Sequence, residues 1–121
     1  MKLRLVFPSG ELSVELRDTA TARALLAATP FESRAQTWGE EVYFTTPASA
    51  ALEADARQVV DAGTVCFWTQ GNALALPFGR TPISTDARPK LANACNVLGT
   101  AKDFSVLKQV KPGDKVKAER A

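Results

Sequence analysis

Two runs of strict alternation on either side of a tight turn constrain this chain more than any other feature. Leu3, Leu5 and Phe7 alternate with Lys2, Arg4 and Val6, and Leu12, Val14 and Leu16 alternate with Glu11, Ser13 and Glu15. Successive side chains of a strand point to opposite faces, so each run has the period of a half-buried strand. Pro8-Ser9-Gly10 lies between them. Proline fixes φ and glycine tolerates positive φ, so this is turn chemistry, and the two runs form a hairpin. A hairpin with one apolar face must bury that face against something. The chain has 121 residues, 45% of them hydrophobic and 23% charged, which is enough for one core and one domain over residues 1–121.

The remaining segments read mostly as strands. Asp18 and Thr19 offer capping oxygens to a short helix over 20–28, with Leu25 and Leu26 as its apolar pair. Pro30 ends that helix. Phe31 to Trp38 is less regular and compatible with extended chain, and Gly39 breaks it. Glu41 to Thr45 has strand composition. Leu52, Ala56, Val59 and Val60 fit helical spacing, but two of them are β-branched, so helix and strand both stay open. Val65-Cys66-Phe67-Trp68 is apolar throughout, as a strand covered on both faces would be. Ala73 to Phe78 returns with Leu74, Leu76 and Phe78 on one face. A loop follows over 79–89, then a strand over 95–101 and a short helical turn after Asp103 with Phe104 and Leu107. The last strand is centred on Val116. About seven short strands with one to three short helices make a mainly β domain, and closure into a barrel would remove its exposed edges.

Composition excludes several chemistries. The chain contains no histidine and two cysteines. The histidine-dependent Ser and Cys nucleophile pairs are therefore absent, as are histidine-containing and four-thiolate zinc sites. Glycine-rich phosphate-binding patterns are missing, and no cofactor is expected. No run of about 18 apolar residues marks a membrane span. Net charge is +2, with no basic stripe interleaved with aromatics, so neither nucleic acid nor membrane is an expected partner. Lys115 and Lys117 flank Val116 as the wet face of a strand. Cys66 and Cys95 read as free thiols of a reducing cytoplasm, the expected location.

Trp38-Gly39-Glu40-Glu41-Val42-Tyr43-Phe44, then Gly63-Thr64-Val65-Cys66-Phe67-Trp68 with Gly71 after it, then Phe78-Gly79-Arg80-Thr81-Pro82 and Asn96-Val97-Leu98-Gly99, occur in this order. Together they resemble a family of small bacterial and archaeal proteins with a cyclophilin-like fold, over nearly the whole chain. The resemblance implies a closed β-barrel with helices over its open ends. It implies no defined activity, because the family has none established. True cyclophilins isomerise Xaa-Pro bonds with a signature like F-H-R-x-I-x-x-F-M-x-Q-G-G. That signature is absent here: there is no histidine and Met1 is the one methionine. Arg34, before Trp38, is the position the resemblance offers for the cyclophilin arginine.

Binding-site candidates follow from residue type and position. Trp38 and Trp68 each sit beside a turn, where an indole suits a shallow apolar cleft for a proline ring or small ligand. Tyr43, Phe67 and Phe78 are the neighbouring aromatics, with Phe67 and Phe78 also suited to the core. Glu40 and Glu41 are adjacent and so point to opposite faces of a strand. With Val42 and Phe44 facing the core, Glu41 is expected to be solvated beside Tyr43. A buried Glu41 would instead need a cation, which Arg34 or Arg80 could supply. Gln70 could hydrogen-bond a ligand amide. The expected function is binding of a small molecule or proline-containing peptide in an aromatic-lined cleft. The alternatives are a weak prolyl isomerase using Arg34 and a structural or oligomerisation module. The sequence leaves the oligomeric state open.

Overall fold

The first hairpin forms as its alternation requires. In the computed structural model, which describes residues 1–121, β1 (Lys2–Phe7) and β2 (Gly10–Leu16) pair antiparallel, with Leu3 opposite Val14 and Leu5 opposite Leu12. Residues opposite each other share a face, so both apolar sets point into one interior. Helix α1 (Ala20–Ala28) is capped by Thr19, whose Oγ1 accepts the Ala22 N–H at 3.1 Å. Thr29 is already extended before Pro30, and Leu25 and Leu26 are buried.

Eight more strands follow. They are β3 (Phe31–Arg34), β4 (Gln36–Thr37), β5 (Glu41–Thr45), β6 (Arg57–Val59), β7 (Thr64–Trp68), β8 (Ala73–Pro77), β9 (Lys90–Ala101) and β10 (Lys115–Arg120). A 3-10 turn covers Ser105–Gln109, and Asp103 Oδ1 accepts the Ser105 N–H just before it at 3.1 Å. The order across the sheet is β3-β10-β1-β2-β9-β7-β8-β5-β4, with β6 paired to β9 off this path. The two ends of that order are consecutive in sequence, separated by Ala35 alone. The extended segment 31–37 therefore pairs first with β10 and then with β5, and the sheet closes on itself into a barrel. Ser33 Oγ and Thr45 Oγ1 lie 3.5 Å apart across this seam.

The interior is filled by Leu3, Leu5, Leu12, Val14, Val42, Phe44, Val65, Phe67, Leu74, Leu76, Leu98 and Val116, with α1 contributing Ala22, Leu25 and Leu26. A second, smaller cluster of Val60, Cys66, Ala75, Leu91 and Cys95 lies on the opposite face of β7 and β8. The apolar run Val65 to Trp68 is explained by these two layers: Val65 and Phe67 face the barrel, while Cys66 and Trp68 face the second cluster. The barrel thus has a stretch of wall that is covered on its outside as well.

The structure refines the sequence reading in three places. Ten strands replace the expected seven or so, because segments as short as β4 and β6 are needed to close the sheet and roof it. The segment containing Leu52 and Ala56 is irregular and passes into β6, with no helix. The buried Asn96 of β9 holds it, accepting the Glu53 N–H at 2.8 Å and donating to Ala51 O at 2.9 Å. Those bonds take backbone groups that a helix would have used. Strand β9 also begins earlier than position 95, at Lys90.

Gly99 pairs with Leu16 on one side and Val65 on the other. A Cβ there would overlap the Glu15 carbonyl oxygen, which is backbone and cannot step aside. Gly99→Ala should cost about 3 kcal/mol or more, as overpacking at a fixed backbone does. Gly113→Ala, at φ +90° in open space, should cost about 1 kcal/mol. Urea unfolding of both variants checks this, and equal midpoints would contradict the packing at Gly99.

Candidate functional site

The outer wall over β5, β8 and β7 is lined by small residues. Tyr43 lies opposite Ala75 and Cys66 lies opposite Ala75 from the other side, so the three cross the sheet in one row. Trp68 and Thr45 flank Ala73 in the next row. Two alanines between bulkier neighbours leave a hollow. It encloses about 310 Å³, with Ala73 and Ala75 in its floor. Trp38, Tyr43 and Trp68 supply aromatic walls, and Leu91, Ala92 and Cys95 of β9 complete it. Glu41 is the one charged residue in the lining.

Both tryptophans are fixed by their surroundings. Trp38 begins a tight hairpin turn, its N–H bonding Glu41 O at 2.9 Å, with Gly39 at φ +57° as the first central residue. That conformation favours glycine. The tip is stitched to the loop after β8 by Glu40 N to Arg80 O at 2.9 Å and Phe78 N to Glu40 O at 2.8 Å. A side chain at Gly39 would press on Pro82 and on the backbone of residues 80 and 81. Trp68 is held by its polar edge: Nε1 donates to Gln70 Oε1 at 2.7 Å and to Asn93 Oδ1 at 3.2 Å. The six-membered ring of its indole lies against Gly71, where a Cβ would overlap it.

Glu41 differs from expectation. It is 6% exposed, where the alternation of β5 had suggested a solvated carboxylate. The alternation is observed, with Val42 and Phe44 in the barrel core, but on the opposite face Glu41 lies in the wall of the cavity, among Trp38, Tyr43 and the side chains of β9. The cation that a buried Glu41 would require is also missing. Arg34 Nη1 donates to Gly113 O at 3.1 Å, and Arg80 Nη2 donates to Ser84 O at 3.2 Å. The seven ion pairs of the molecule all involve other residues. Glu41 Oε1 is enclosed with no hydrogen-bond partner. Burial alone pushes the carboxyl up from its ordinary 4.5 to about 7. The thiols follow: burial first, and then the Glu41 charge, raise Cys95 to about 12, while burial, then Cys95 and then Glu41 hold Cys66 well above its usual range. Both cysteines are free and buried, and neither is a poised nucleophile.

Of the residues singled out in the sequence, Trp38, Glu41, Tyr43 and Trp68 meet in this cavity. Gln70 stands behind Trp68 as its hydrogen-bond partner. Phe67 is fully buried in the barrel, and Phe78 packs against the same core from its edge. Arg34 and Arg80 are exposed and line no part of the cavity. Ala73, Ala75, Leu91, Ala92 and Cys95 were not singled out, nor was Asn93. The signal for two of them was present: if Leu74 and Leu76 face inward, Ala73 and Ala75 must face out, and alanine leaves room.

Ionisation of Glu41 links the site to stability. The unfolded chain ionises this carboxyl near 4.5 and the folded one near 7. Between those values the unfolded state binds fewer protons, so stability falls as pH rises and levels off above about 7, a loss of about 3 kcal/mol. Glu41→Gln should abolish this slope. Its advantage over the natural chain, read from urea midpoints, should grow between about pH 5 and about pH 8. An advantage independent of pH would mean that burial does not hold the carboxyl neutral.

Comparison with known proteins agrees with this architecture. A solved solution structure of a hypothetical protein from Archaeoglobus fulgidus is 42% identical, with a TM-score of 0.87, over 100% of this chain and 95% of that one. No curated protein matches the chain. The family model described as cyclophilin-like matches residues 1–119, and the chain belongs to the cyclophilin-like family.

Proposed function

We propose that this protein binds a small organic ligand in the cavity on the outer wall of its barrel. The observation that carries this reading is the combination of shape and lining. A hollow of about 310 Å³ falls at the small end of the roughly 300–1,000 Å³ typical of ligand sites, and eight of its nine lining residues are hydrophobic. Its walls stand on paired strands, on the Trp68 indole fixed by hydrogen bonds and by Gly71, and on Trp38 at the start of a hydrogen-bonded turn, so little ordering is required on binding. The lone carboxyl gives orientation. Two free buried thiols suit a reducing cytoplasm, the compartment we assign to it.

Ala75 sits in the cavity floor, between Tyr43 and Cys66. Ala75→Leu should fill the hollow while the barrel interior stays intact. Indole, benzamide and N-acetylprolinamide, titrated into isotopically labelled protein, should shift resonances of Trp38, Tyr43 and Trp68 for at least one probe. Those shifts should vanish in the Ala75→Leu variant. Shifts confined to another surface, or shifts that survive the filled cavity, would sink the proposal.

A further inference from the structure

The formal charge in the lining of the cavity is of one sign, the carboxyl of Glu41. The faces of aromatic rings carry negative potential, and three rings, those of Trp38, Tyr43 and Trp68, share the wall with the Glu41 carboxyl. No basic side chain contributes to the lining, since Arg34 and Arg80 are engaged with backbone carbonyls elsewhere. The indole N–H of Trp68, one of the donors near the cavity, is already committed to Gln70 and Asn93. Meanwhile Glu41, a buried residue, has its Oε1 enclosed without any partner. Buried carboxylates ordinarily have a partner, and here the molecule supplies none.

We infer that the cavity selects a small alkylated ammonium ion, with its charge received by Glu41 and its alkyl groups by the rings of Trp38, Tyr43 and Trp68. This rests on the ligand-binding reading above and names the class of ligand. The degree of alkylation follows from a count of acceptors. A primary ammonium brings three N–H donors and a guanidinium five, and each must find an acceptor once dehydrated. The lining offers the Glu41 carboxyl and the Tyr43 hydroxyl among alanine, leucine and cysteine side chains. An ion whose N–H groups are mostly or wholly replaced by methyl or methylene leaves few donors stranded. It also places carbon against carbon over the rest of the wall. Anions are repelled by the same surface, and a neutral ligand of equal shape forgoes the attraction of rings and carboxylate alike.

Choline and its neutral isostere 3,3-dimethylbutan-1-ol separate charge from shape. Each is titrated into the full chain near pH 8, with chemical shifts of the Trp38 and Trp68 indole N–H groups as the readout. We expect choline to saturate both signals and the isostere to bind at least tenfold more weakly. Glu41→Gln should lower choline affinity at least tenfold and leave the isostere unchanged. Trp68→Leu, a second variant that keeps the carboxyl, should also weaken choline more than the isostere. Equal affinity for the two probes, or full choline affinity in Glu41→Gln, would overturn the cation assignment and leave a site for neutral ligands standing. Failure of choline to move either indole at tens of millimolar would overturn the cation assignment, whereas the small-ligand reading stands or falls with indole, benzamide and N-acetylprolinamide.

Discussion

Everything in this fold depends on one extended segment pairing at both ends of the sheet. Residues 31–34 pair with β10 and residues 36–37 with β5, and Ala35 is the hinge between them. Ala35 is wholly buried, and both of its backbone groups are bonded to the turn before β10: its N–H to Asp114 O at 2.7 Å, its carbonyl to Gly113 N at 2.8 Å. An open sheet of this size would expose two rows of unpaired amides. The closure gives those amides partners and forces every inward side chain into one interior. It also sets the direction of the chain as it leaves Thr37, so that the Trp38–Glu41 turn falls beside the outer face of β8.

The site is a by-product of how that wall is covered. Most of the barrel's outer surface meets solvent, as at Lys115 and Lys117. Over β7 and β8 it meets β9, β6 and the Trp38 turn instead, and a second apolar cluster forms there. The cluster is incomplete because Ala73 and Ala75 are too small to reach the indoles opposite. Filling it with larger residues would improve packing, and the chain instead keeps both a vacancy and a carboxyl without a partner. Those features cost stability in the empty protein. On the proposed reading such costs are expected, because the missing contacts are left for the ligand to make.

The period of the strands was legible in the sequence because it depends only on which residues are apolar. The first hairpin followed from it, the two-faced burial of Val65 to Trp68 from its absence there, and α1 from its Thr19 cap and Pro30, while the family motifs agreed on a barrel. Glu41 was misplaced for a reason that lies outside periodicity. Alternation says that Glu41 and Val42 face opposite ways, but not whether the outward face is wet. That depends on β9, whose Leu91, Ala92 and Cys95 are distant in sequence and carry no pattern that announces where they pack. The fate of Arg34 was equally non-local, since the Gly113 carbonyl that accepts its hydrogen bond is brought near only when β3 pairs with β10. The segment around Leu52 and Ala56 resisted reading because a single side chain, Asn96, dictates its backbone. Four of the nine residues singled out do line the cavity, each beside a turn or on the outward face of β5.

The anchoring of Trp38 and Trp68 has an optical consequence. The chain contains two tryptophans, and both stand in the wall of the same cavity. All of the molecule's indole emission therefore originates within one small volume, with no distant fluorophore to dilute it. Trp68 is hydrogen-bonded at Nε1 and braced on Gly71, so its environment is defined in the empty state. The carboxyl of Glu41 lies in the same lining, where its ionisation changes the local field. The protein thus carries a built-in spectroscopic gauge whose colour and intensity register protonation and, on the proposed reading, occupancy of a single place.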